Sequence, residues 1–280
     1  MKKIMFFVAA AFVLVAVGCS KDEVAVNDEV QYITEFKADF AGADTRMAVT
    51  HNPASGLKFS WEVGDKLYIY NPEVNNTYAV YEYDSDGKFK FNNIGTAMIE
   101  GKDYFATNRA GLSLPYFTKD EEDNISFKMT LSSGVKNLPL ISDIFSAKTD
   151  GTIAKMHHTV GVVEVPVKLM EGSTVTELDD FGFRASIVAG EFYAAPAPPY
   201  FIDDTNNNVY QEAWTNESVS LETDQTTSCF IPVFPRTYPS VYFRYKYNGG
   251  DPKSYAAGSN VTVACGKITK LQETPTLELK

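Results

Sequence analysis

Imidazoles, clustered carboxylates and indoles are the groups in this sequence that could do chemistry. The histidines are His51, His157 and His158. The last two are adjacent, and neighbours on a strand point to opposite faces, so they do not readily share a metal ion. No Gly-x-Ser-x-Gly elbow and no phosphate loop occurs. Asp120-Glu121-Glu122-Asp123 and Asp179-Asp180 are the clearest carboxylate clusters. Glycoside hydrolysis needs two positioned carboxylates, which sequence spacing does not supply, so both clusters read as solvated acidic loops. Asp203-Asp204-Thr205-Asn206 lacks the spaced ligands of an EF-hand calcium loop. Trp61 and Trp214 could stack on sugar, or sit in a core. No catalytic set assembles, so no enzyme activity, metal or cofactor is expected.

The cysteines carry clearer chemistry. Cys19 ends the apolar run Phe6–Gly18, which follows Met1-Lys2-Lys3. A basic start, a short apolar stretch and small residues before a cut describe a secretory signal peptide. The run is shorter than the roughly 17–25 apolar residues of a membrane span. Ala16 and Gly18 ahead of the cysteine make a lipobox. Cleavage between Gly18 and Cys19 would follow attachment of diacylglycerol to the thiol, and acylation (palmitate) of the new amino terminus would complete the anchor. Several acyl chains hold a protein stably where one does not. Ser20-Lys21-Asp22-Glu23 resembles the export signal of Bacteroides-type surface lipoproteins, which places the precursor on the cell outer membrane. Cys229 and Cys265 could pair in an exported protein, or remain free thiols; their spacing does not decide.

The elements that would position these groups are strands. The 280-residue chain has a formal net charge of −11, with neither a basic footprint for nucleic acid nor a polybasic patch for anionic lipid. It holds 19 Phe and 16 Tyr, a composition that suits pleated surfaces. Tyr32, Thr34, Phe36, Ala38 and Phe40 alternate with Ile33, Glu35, Lys37 and Asp39, a half-buried strand. Gly64-Asp65, Asp86-Gly87 and Asn248-Gly249-Gly250 read as turns between strands. Thr159–Val167 reads as a central strand with Pro166 at its end or at a bulge. The prediction is all-β: two tandem β-sandwich domains with few short helices. Residues 1–18 are the lipoprotein signal peptide and 19–46 a tether with an N-terminal strand. Residues 47–167 form one sandwich and 168–280 another.

Several segments together resemble the fimbrillin family, the pilins of Bacteroides-type surface fimbriae. They are the lipobox at Cys19; Asp44-Thr45-Arg46 ahead of Trp61-Glu62-Val63-Gly64-Asp65-Lys66-Leu67; His158-Thr159-Val160-Gly161-Val162-Val163-Glu164-Val165; and Phe230-Ile231-Pro232 with Ala264-Cys265-Gly266-Lys267-Ile268-Thr269. Gly161 stands where the family favours Ala, and Cys265 interrupts its Ala-Gly-Lys. The resemblance implies transthyretin-like, Greek-key sandwiches. It also implies cleavage by an arginine-specific protease, here at Arg46-Met47, which releases lipid and N-terminal strand together. The groove so opened takes a donor strand from the next subunit by β-strand addition. The candidate donor is 274–280, with Leu277 and Leu279 alternating. Arg46 has the bland alternative of an ordinary surface arginine. The expected function is a structural subunit of a fimbrium, in stalk or tip, supporting adhesion and biofilm formation. Its partners would be other fimbrial subunits and a host or bacterial surface receptor. The alternatives are a lipid-retaining surface glycan-binding lipoprotein, using Trp214 or the Tyr200 loop, and a fimbrial anchor subunit.

Overall fold

The computed structural model describes residues 30–40, 50–52, 56–58, 60–109, 116–131, 138–169, 171–173, 175–186, 190–202, 210–223, 225–271 and 276–277. For 50–52, 56–58, 190, 210–211 and 276–277 it describes the backbone only. Every regular element among these residues is a strand, and the short helices the sequence allowed are not among them. The residue pattern explains this. Apolar side chains recur at every second position, as in Ile125–Leu131, where burial alternates along the whole strand. The turn signals hold as well: Gly64, Gly87 and the Asn248-Gly249 pair all sit at positive φ.

Residues 1–30 and 31–280 are separate units, and the second contains the sheets that follow. Its buried apolar residues form two clusters. The first is rich in aromatic rings, among them Phe36, Tyr70, Tyr81, Phe89, Phe105 and Phe127. The second is more aliphatic, built on Val163, Val165, Val167, Ile231 and Val233 with Phe181, Phe183 and Phe243.

A ring of seven strands bounds the first cluster. Round it run Leu140–Ser142, Ile153–His158, Glu35–Phe40, Phe89–Ile94, Ala79–Tyr83, Lys66–Tyr70 and Asp103–Thr107. The ring closes where Ile141 pairs with Thr107. A closed ring thus stands where a sandwich of two sheets was expected. Alternation with period two is common to both architectures, and closure depends on which strands pair, which the pattern does not encode.

The second cluster is filled from two sheets. One runs Tyr210–Trp214, Asp180–Ser186, Thr237–Lys246, Lys253–Thr262. The other holds Thr226–Val233, Gly161–Leu169 and Ile268–Lys270, with Thr276–Leu277 also paired to Gly161–Leu169. A further sheet joins Phe117–Lys119 and Ile125–Leu131 to Gly190–Ala194 and Phe201–Ile202, so strands from before and after residue 168 share hydrogen bonds. Gly161–Leu169 serves both clusters: Val162 packs in the first, Val163 and Val165 in the second. Pro166 lies inside this strand rather than at its end. Parallel partners are present at 162–164 and 168–169, and Pro166 falls in the interval between them. The antiparallel pairing with Thr226–Val233 runs on through it, with Pro166 opposite Ser228.

Candidate functional site

The segment upstream of Arg46 is the informative one. Glu35–Phe40 lies between Ile153–His158, to which it runs parallel, and Phe89–Ile94, to which it runs antiparallel. Its two neighbours hold different halves of it. Glu35 and Phe36 face Lys90 and Phe89, while Lys37–Phe40 face 153–156. It is the link between those two strands in the ring, so its departure would leave the ring open with both flanking edges unpaired.

The expected alternation holds here with one correction. Tyr32 is 53% exposed and Ile33 is buried, so the phase resets at Thr34 before Phe36 and Ala38 turn inward. Buried polar groups stabilise the break. The Tyr81 hydroxyl donates to the Ile33 carbonyl at 2.5 Å and accepts from Met98 N–H at 2.9 Å. The Phe91 N–H donates to the Thr34 carbonyl at 2.8 Å. Burial pushes the Tyr81 phenol up to about 12, so it stays a neutral donor.

The Trp61–Leu67 motif has a mechanical role in this arrangement. Trp61 Nε1 donates to the Ala38 carbonyl at 3.0 Å, at the end of the strand that Phe89–Ile94 does not reach. The same indole stacks on Phe40 with centroids 4.9 Å apart and meets Phe89 edge-on at 4.8 Å. Behind it, Gly64 takes φ +97°, and Asp65 accepts from the Glu62 N–H at 2.8 Å. That tight turn aims Trp61 at the strand and starts Lys66–Tyr70. Phe36, only 3% exposed, contacts Tyr81, Phe89 and Phe145 with centroids 5.1, 5.6 and 6.2 Å apart.

Two of the other motifs meet each other. The Gly266 N–H donates to Val160 at 2.9 Å, and the Val162 N–H donates to Lys267 at 3.0 Å. A Cβ on Gly161 would lie 2.6 Å from the Ala264 carbonyl oxygen, so this position has no room for a side chain. Gly161 and the Ala264–Lys267 turn, the two places where the sequence departs from the fimbrillin pattern, are therefore in direct contact. His158, 5% exposed, stacks on Phe40 at 5.9 Å.

The remaining predicted residues divide as follows. Cys19, Arg46, Met47 and Leu279 lie outside the described residues, as do Asp203-Asp204-Thr205-Asn206. The backbone of Leu277 pairs in parallel with Leu169. Cys229 is buried and Cys265 half-buried, and both are free thiols; Cys265 Sγ donates to the Thr159 carbonyl at 3.3 Å. The acidic clusters are turn-formers. Asp120 accepts from the N–H groups of Glu122 and Asn124, both at 2.9 Å, and Asp180 accepts from that of Asn216 at 2.9 Å. His157 stacks on Tyr200 with centroids 3.9 Å apart, and the Tyr200 hydroxyl donates to Asp143 at 2.9 Å. Lys246 Nζ sits 4.2 Å from the centre of the Trp214 ring. Trp61, Trp214 and Tyr200, the aromatics suggested for sugar binding, all make contacts within the chain. Sequence reasoning missed Tyr81 and the roles of Trp61 and His158 against the strand. Their spacing names no partner, since the partner lies more than 20 positions away.

No protein-family model matches this sequence, and neither does any curated protein. Solved structures do match. One is a candidate cell adhesion protein from Bacteroides ovatus ATCC 8483, with 12% identity, a TM-score of 0.56, and coverage of 86% of this chain and 92% of that one. Another, from Bacteroides uniformis ATCC 8492 and of the same description, has 12% identity, a TM-score of 0.51, and coverage of 89% and 94%. A fimbrial protein from Bacteroides ovatus ATCC 8483 matches with 11% identity and a TM-score of 0.35, over 88% of this chain and 51% of that one. At such identities the first two matches establish a shared fold, and this chain has the fold of those two Bacteroides proteins over most of its length.

Proposed function

We propose that this chain is a structural subunit of a cell-surface fimbrium, in stalk or tip, that supports adhesion and biofilm formation. In this reading it is exported as a lipoprotein anchored through Cys19 to the outer membrane and works as a non-catalytic assembly unit. Cleavage after Arg46 then releases the anchor together with Glu35–Phe40. One observation carries the proposal: the strand upstream of Arg46 is the link between Ile153–His158 and Phe89–Ile94 in the ring. Its loss exposes two strand edges and the pocket of Phe36, which is the geometry that β-strand addition requires. The shared fold with two candidate cell adhesion proteins supports the same reading, as does the order of the fimbrillin-like motifs. The two apolar clusters would then be the cores of two tandem Greek-key, transthyretin-like domains, with 274–280 as the candidate donor strand.

The test is treatment of the full-length protein with an arginine-specific protease. A single cut after Arg46 followed by ladders of oligomers is the expected result. If Arg46→Ala assembles as well as the unchanged chain, the proposal fails.

A further inference from the structure

Resting on that reading, we infer that the strand which replaces Glu35–Phe40 comes from a different chain and carries a large aromatic, a small and a large apolar residue at successive inward positions. The slot is shaped by what fills it now. Phe36 lies buried among Tyr81, Phe89 and Phe145. Phe40 lies against Trp61 and His158. Between them the inward residue is Ala38, 8% exposed, and the residue opposite it on the parallel neighbour is Ala154, fully buried. Two alanines face each other because the Trp61 indole crosses this level of the slot, bonded to the Ala38 carbonyl and touching both Phe40 and Phe89. A longer side chain at position 38 would meet that ring, and overpacking of a filled core is destabilising.

The chain's own candidate donor has the wrong pattern. Thr274-Pro275-Thr276-Leu277-Glu278-Leu279-Lys280 offers two leucines two positions apart. With the incoming strand running as Glu35–Phe40 does, any register that puts both leucines among positions 36, 38 and 40 puts one of them at 38. Leu277 at that level also brings Pro275 to the position of Phe36, where the ladder to Phe89 runs and an N–H is missing. Leu277 at the level of Phe40 instead carries Glu273 into the aromatic pocket of Phe36, an unpaired carboxylate in an apolar site. The slot of this chain is therefore mismatched to its own tail.

Peptide competition tests this. The full chain is cut after Arg46 (or, if that bond resists, at a second protease's site placed there) with its strand still seated. It is then pulsed briefly with urea alongside fluorescently labelled peptides. Uptake of three peptides is compared by anisotropy: a copy of 31–40, the same peptide with Ala38→Leu, and 272–280. The copy is expected to enter, and the other two to bind at least about tenfold more weakly. Uptake of 272–280 within about threefold of the copy, or no loss from Ala38→Leu in the peptide, overturns this inference while leaving strand exchange intact. If not even the copy enters, strand exchange itself fails and takes the inference with it. The substitution is made in the peptide, so the folding of the protein is never in question.

Discussion

Two strands near opposite ends of the chain have comparable roles on paper and very different attachments. Glu35–Phe40 is paired along both edges, closes a ring, and buries Phe36 and Ala38 in an aromatic cluster. Among the described residues, Thr276–Leu277 pairs through two residues with a single strand, Gly161–Leu169. The first closes a ring around a core, while the described pairing of the second is to one neighbour alone. The strand whose loss opens the ring is at the N-terminal side. A subunit that donates one strand and accepts another needs that asymmetry.

Phe36→Ala should strike the N-terminal attachment hardest. Removing a buried phenylalanine costs about 3–5 kcal/mol through lost transfer energy and the cavity left behind. Urea unfolding of the full chain measures it, and a loss below about 1 kcal/mol would mean that the strand is no more integral than the tail.

Acid should loosen the same region. The His158 imidazole stacks on Phe40, and burial, then the neighbouring His157, pushes it down to about 4. Because the folded value lies below the unfolded one, the fold holds this residue neutral while the unfolded chain takes a proton near pH 6.5. Its contribution is complete above that pH and is lost as pH falls towards about 4, by about 3 kcal/mol in all. Unfolding midpoints across pH 7 to 4 should show this fall, and His158→Gln should flatten it.

The smallest effect is expected at the other end. A chain shortened to Pro275 gives up the pairing of Thr276 and Leu277 and should lose less than about 1 kcal/mol, under ~4 °C in melting temperature. A loss as large as that of Phe36→Ala would erase the contrast between the two strands.

Much of this molecule is legible in its sequence. Ile125–Leu131 alternates, and Gly64-Asp65 and Asn248-Gly249 turn as their types demand. Pro166 is less legible: a proline suggests a strand end or a bulge, yet the antiparallel pairing with Thr226–Val233 runs on through it. Tyr81 was not legible at all. A tyrosine on a strand is ordinary until its hydroxyl is seen to bridge Ile33 and Met98. The motif around Trp61 stood out by spacing, yet its purpose lay in Ala38 and Phe40, which only folding brings near.

The sequence by itself determined the strand content, the turns and the alternation of Phe36, Ala38 and Phe40, because these depend on local stereochemistry and on a period of two residues. Only the tertiary structure decided that seven strands close into a ring, that the strand before Arg46 links Ile153–His158 to Phe89–Ile94 in it, and that Trp61 bonds to the Ala38 carbonyl in its middle. Those are questions of pairing between distant segments, and alternation says which face is buried without saying against what.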